Sequence, residues 1–182
     1  MKRRLFAPLI VAALLLAFGT AASGCGGDGD GGLTLEEYFQ RLEAAENDRA
    51  AQSEALQEES EQEFSEGFAS EKEEIEATRD LFDAVTPVFG DFVDALADVD
   101  PPAEAQDAHE EAVDAGARLL AVFQDVADRL AEVESASEAE EVLDDSELET
   151  ADDRFDQACF TLQEIADAND IVVDLGCPDE QG

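Results

Sequence analysis

Apolar residues recur at steps of three and four along most of the chain, and acidic positions separate the faces they make. The longest stripe runs through Phe68, Ile75, Thr78, Phe82, Val85, Phe89, Phe92, Leu96 and Val99, skipping only Glu71. That period lays one apolar seam along a helix. Pro87 lies inside the stripe, yet the phase is the same on both sides of it. The spacing therefore predicts a kink at Pro87 and a stop at Asp100-Pro101-Pro102.

Upstream, Thr34-x-x-Glu37 has the form of a capping box in front of Leu35, Tyr38, Phe39 and Leu42, so a first helix starts there. Its middle, Glu43 to Glu63, offers little that is apolar besides Leu56, which predicts a shallowly buried or protruding stretch. Phe64 and Phe68 flank Gly67, and Ser70-x-x-Glu73 offers a second cap, so a turn is expected near Gly67 to Ser70. A third helix over Ala103 to Glu134 carries Val113, Gly116, Leu120, Phe123, Val126 or Ala127, Leu130 and Val133 on one face. Ser135 to Asp145 reads as a connector with room for a short helical turn. Ser146-x-x-Glu149 then predicts the cap of a fourth helix, with the face Leu148, Ala151, Phe155, Ala158 or Cys159, Leu162 and Ile165, ending at Asn169. The tail from Ile171 to Pro178 is β-branched and apolar but has no partner strand elsewhere, so it is expected to fold back over the fourth helix.

Helices of similar length with short connectors predict an all-α fold, an antiparallel up-down-up-down four-helix bundle. The rival is a three-helix arrangement in which Thr34 to Val99 form one helix of roughly 100 Å.

The first residues follow a different pattern. Met1-Lys2-Arg3-Arg4 is a short basic stretch, and Leu5 to Phe18 is apolar and ends at Gly19-Thr20 and small residues. This is the layout of an export signal. A transmembrane helix is the alternative, but the uncharged stretch is about 18 residues and runs directly into glycines, where a spanning helix wants ~20 apolar residues and flanking anchors. Arg3-Arg4-Leu5-Phe6 also resembles the core of a twin-arginine signal; the surrounding pattern is missing and the apolar stretch is very apolar, so it is read as an ordinary basic region.

Ala22-Ser23-Gly24-Cys25 resembles the lipobox of bacterial lipoproteins, departing from it in having Ala22 where the family prefers Leu. The resemblance covers residues 1–25 only. It implies a diacylglyceryl thioether on Cys25, cleavage between Gly24 and Cys25, and a new amino group open to acylation. Residues 1–24 are then a cleaved signal, 25–33 a lipidated cysteine with a Gly/Asp tether, and 34–182 an ectodomain. As a random coil, Gly26 to Gly32 would hold that domain within about 15 Å of the membrane. Asp28-x-Asp30 imitates the start of an EF-hand loop, but Phe39 stands where the bidentate Glu belongs.

With Cys25 taken by lipid, Cys159 and Cys177 remain as an even pair in an oxidising compartment, where a disulfide is the default. Its loop of about 19 residues would restrict the unfolded chain by roughly 3 kcal/mol and would pin the C-terminal tail. A catalytic or metal-binding pair is the alternative, without a Cys-x-x-Cys spacing to support it.

Charge narrows the partners. The chain of 182 residues has 10 Lys+Arg against 48 Asp+Glu, net −38; losing Lys2, Arg3 and Arg4 with the signal leaves 7 basic residues and −41. Such a surface repels nucleic acid and anionic headgroups. It admits a basic protein partner, divalent cations, or adaptation to high salt, and nothing in the sequence chooses among these.

Chemistry-bearing constellations are sparse. A covalent haem would need Cys-x-x-Cys-His, a His/Met pair lacks its Met because Met1 stands alone, and a di-iron site would need Glu where Gln106 precedes His109 by three. His109 lies in Asp107-Ala108-His109-Glu110-Glu111; a metal site there is conceivable, but neighbours one or two apart do not share a helix face. The expectation is a partly exposed histidine whose cationic form is favoured by surrounding carboxylates. No Gly-x-Ser-x-Gly elbow is present and a single histidine must serve any triad. The expectation is therefore no catalytic residues, no metal and no cofactor. The function expected is a lipid-anchored, extracytoplasmic envelope protein with an interaction or structural role, the alternatives being a solute- or divalent-metal-binding protein and, more distantly, an enzyme.

Overall fold

The computed structural model describes residues 32–178. The fold over that range is all-α, with no strand among the described residues and five helices: α1 (Leu35–Glu66), α2 (Glu71–Ala97), α3 (Gln106–Leu130), α4 (Ala136–Asp144) and α5 (Leu148–Ala168). The predicted connector from Ser135 to Asp145, which left room for a short helical turn, holds the nine-residue α4. Ser135 accepts from the Glu138 amide while the Glu138 carboxylate takes the Ser135 amide, a capping box that nucleates nine helical residues.

The Thr34 capping box forms as expected, and Ser70 caps α2. Glu73 reaches the amide of Ala69. The cap expected at Ser146 does not form: Ser146 Oγ donates to the Leu143 carbonyl and accepts from Leu148, and α5 starts without a side-chain cap. The start of α3 also moves, from Ala103 to Gln106, because residues 103–105 form a turn. Helix α2 passes through Pro87 without interruption, with Pro87 on its exposed side.

α1 packs on α2, α2 on α3, and α3 on α5; α4 closes against α2 and α3. Along α2 and α3 the numbering runs in opposite directions: Arg79 meets Leu130 and Val133, Gly90 faces Leu120, and Val93 faces Gly116. Arg79 gives its guanidinium to the carbonyls of Leu130, the last residue of α3, and of Val133 just beyond it, placing positive charge at a helix C-terminus.

Three apolar clusters fill the interior. At the end that includes the start of α1, Tyr38, Phe39 and Leu42 pack with Leu96, Val99, Leu162 and a set of alanines. In the middle, Phe89 makes edge-on contacts with Phe123 and Phe155 at 5.4 and 5.5 Å. At the far end lie Val126, Leu130, Ala139 and Val142. The face predicted for α3 is incomplete, since Ala105, Ala108, Ala112 and Ala115 are buried as well. With Ala158 and Ala166 in the same cluster as these four, small side chains line the interface between α3 and α5. Gly116 serves the same approach: a Cβ there would stand 3.2 Å from Val93 and 3.4 Å from Phe155.

α5 ends in a six-to-one hydrogen bond from the Ile171 amide to the Ala166 carbonyl, which requires a left-handed residue in between. Asp170 supplies it at φ 56°, a conformation that favours glycine. Asp170→Gly is expected to raise stability by up to about 1 kcal/mol, read as a higher urea midpoint at unchanged slope.

Candidate functional site: the strapped seam between α1 and α5

Beyond α5 the chain turns back and runs extended along the seam between α1 and α5. Its burial alternates strictly: Ile171, Val173, Leu175 and Cys177 face inward, Val172, Asp174 and Gly176 outward. Leu175 is 7% exposed and Val172 is 98% exposed. This period of two is that of a strand lying on an apolar surface, here supplied by helices. The expected fold-back of the tail is thus observed, and Cys159 and Cys177 are bonded, with Cα atoms 5.7 Å apart.

Side chains from both helices take the main-chain groups of this strap. Gln163 of α5 uses both ends of its amide, donating to the Val173 carbonyl at 3.2 Å and accepting from the Leu175 amide at 3.4 Å. Glu43 of α1 accepts from the Asp174 amide at 3.0 Å. Gly176 has φ 67° and lies against Glu46, so that a Cβ there would collide with the Glu46 carboxylate. Glu46 is itself buried and held by Arg49, whose guanidinium grips both carboxylate oxygens at 2.6 and 2.7 Å and stacks 5.6 Å from the Phe92 ring centre. None of this side-chain reading has a motif. Gln163 and Glu43 look like ordinary solvated helix positions until the strap is placed beside them.

His109 differs from expectation. It is buried, not partly exposed, and its Nδ1 lies 3.1 Å from the hydroxyl of the fully buried Tyr38. Burial holds the imidazole below its ordinary range, against the opposing pull of Glu110 and Asp100, so the ring is neutral near pH 7. Burial likewise holds the Tyr38 hydroxyl protonated. The phenol is then the donor and Nδ1 the acceptor, which places the ring proton on Nε2. This pair ties α1 to α3. Asp107, Glu110 and Glu111 are exposed, and among the described residues no group of three His, Cys, Asp or Glu side chains is placed to hold a metal ion.

On α5, Asp156 is half-buried, and its carboxyl is raised to about 6 by burial and by the charges of Asp152 and Asp153. A carboxyl raised in the fold stabilises it below the unfolded value, and that contribution is lost as pH rises through about 6. His109, lowered in the fold, acts in the opposite sense and stabilises above its ordinary value. Asp156→Asn is accordingly expected to gain about 1 kcal/mol at pH 7, after allowance for solvent screening, and nothing near pH 4. Urea titrations at the two pH values check it; an equal gain at both would assign the effect to packing.

Cys25 and Gly24 lie outside the described residues. No helix among the described residues is long and apolar enough to cross a membrane. No protein-family model, no curated protein and no solved structure matches the chain.

Proposed function

We propose that the chain is an extracytoplasmic lipoprotein, held at the outer face of a bacterial membrane by lipid on Cys25. Its ectodomain is an acidic bundle whose four long helices run up-down-up-down, and its role is protein interaction or structure in the cell envelope. The observation that carries this reading is Ala22-Ser23-Gly24-Cys25 placed directly behind a basic stretch and an apolar run. Two features of the fold support it. The first helix begins at Leu35, just beyond the Gly/Asp tether, with its own capping box. The remaining two cysteines are joined, as an oxidising compartment favours.

An interaction role is supported by the shape of α1. Beyond Arg49 its residues are half-buried or exposed wherever described, and Phe64, at 41% exposure, stands near its end in edge-on contact with Phe68. The excess of carboxylates favours a basic protein over nucleic acid as partner.

Cys25→Ser is expected to abolish incorporation of labelled fatty acid and to leave the chain uncleaved at Gly24. Metabolic labelling followed by gel analysis reads both. Continued labelling of the variant would remove Cys25 as the lipid carrier.

A further inference from the structure

The strap occupies its seam as a bound peptide would. Every second side chain is buried, the main chain is read by Gln163 and Glu43 from two different helices, and one covalent bond closes the arrangement. None of these contacts requires that strap and seam belong to the same molecule. The hinge between α5 and the strap is Asp170, held at φ 56°, so straightening it relieves a left-handed conformation that favours glycine over aspartate.

We infer that the seam between α1 and α5 is also a docking site for the strap of a second copy of this chain, giving a tail-exchanged dimer joined by two reciprocal Cys159–Cys177 bonds. The occupant is specified by the seam itself. It takes apolar side chains at alternate positions, a residue without Cβ against Glu46, and a cysteine at Cys159, and Val173, Leu175, Gly176 and Cys177 meet those demands in order. Exchange of an identical element across a short hinge reproduces the contacts between strap and seam and gives up only the hinge's own Ile171–Ala166 hydrogen bond, which is why it needs no new interface. Mutual repulsion of two strongly acidic chains opposes the encounter, so added salt promotes it.

The covalent change is redox-neutral and needs only a small thiol as co-reactant. Its thiolate attacks Cys159 of one copy, forming a mixed disulfide and releasing Cys177 as a thiolate. That thiolate attacks Cys159 of the second copy, joins the chains and releases the second Cys177. The latter displaces the small thiol from the mixed disulfide, so two bonds within chains become two bonds between chains and the thiol is regenerated.

The test mixes equal amounts of heavy-isotope-labelled and unlabelled full-length protein with substoichiometric reduced glutathione at moderate salt. After quenching and digestion without reduction, peptides joined through Cys159 and Cys177 are weighed. Exchange predicts that about half of the joined pairs in the dimer fraction carry one heavy and one light partner. Joined pairs of uniform isotope, in every fraction, would overturn the proposal. A second arm uses full-length Cys159→Ser and Cys177→Ser chains, each also Cys25→Ser, oxidised together with oxidised glutathione. The mixed dimer should exceed either homodimer several-fold, and Leu175→Asp in the Cys159→Ser chain should abolish that excess. A statistical mixture of the three dimers would contradict the inference.

Discussion

Removing the Cys159–Cys177 bond is expected to cost about 3 kcal/mol, a fall of roughly 6–12 °C in melting temperature for a domain of this size. The effect has two parts. The bond closes a loop with a sequence separation of 18 residues, which restricts the unfolded chain. It also holds the strap in place while Leu175 seals the cluster around Tyr38 and Phe39. Melting curves with and without reductant, and of the Cys159→Ser/Cys177→Ser chain, measure the total. Limited proteolysis separates the parts: the reduced protein should be cut within residues 171–178 first, with the five helices still protected. An unchanged melting temperature would mean that the strap is held by its side-chain contacts alone.

Phe89→Ala is expected to cost 3–5 kcal/mol, on the order usual for emptying a buried aromatic site. Phe89 is 7% exposed and its ring lies 5.4–6.0 Å from those of Phe92, Phe123 and Phe155, so its loss opens a gap bordered by α2, α3 and α5 together. Edge-on geometry adds to the area that burial withdraws from water. Those walls are rigid, since Gly116 already brings backbone and Phe155 into close contact, and rigid walls do not collapse into a cavity. Urea denaturation reads the loss directly. Phe64→Ala, at the exposed end of α1, is the internal control and should change stability by less than about 0.5 kcal/mol. Similar losses at both positions would refute the assignment of the core.

Where large side chains carry the period, the sequence displays the fold. Ile75, Phe89, Leu96 and Val99 are buried as the stripe predicts, and α5 buries Ala151, Ala158 and Leu162. The helix over Ala103 to Glu134 is harder to orient, because four of its nine buried residues are alanine. Ala105, Ala108, Ala112 and Ala115 are apolar, yet alanine also fills exposed positions such as Ala121, so it carries little directional signal. Helix α4 is short, and its capping box, Ser135-x-x-Glu138, sits among so many serines and glutamates that the motif loses contrast.

The candidate site divides in the same way. The cysteine pairing follows from counting, but the grip on the strap does not, because Gln163 and Glu43 act on main-chain groups that any residue possesses. His109 shows the converse. Its sequence neighbours Glu110 and Glu111 are exposed, while its decisive neighbour is Tyr38, 71 positions away. Local charge therefore suggested a cation, and burial makes the ring neutral.

The acidity of the chain sharpens the role of one residue. A surface with net −38, or −41 without Lys2, Arg3 and Arg4, is not drawn to anionic lipid by charge, so in the function proposed above attachment to a membrane rests on the lipid of Cys25. The mass of the N-terminal peptide of the protein isolated from its own membranes tests this most directly. The account predicts a peptide that begins at Cys25 and carries the added mass of a diacylglyceryl group. An N-terminus elsewhere, or a Cys25 peptide of unmodified mass, would contradict it.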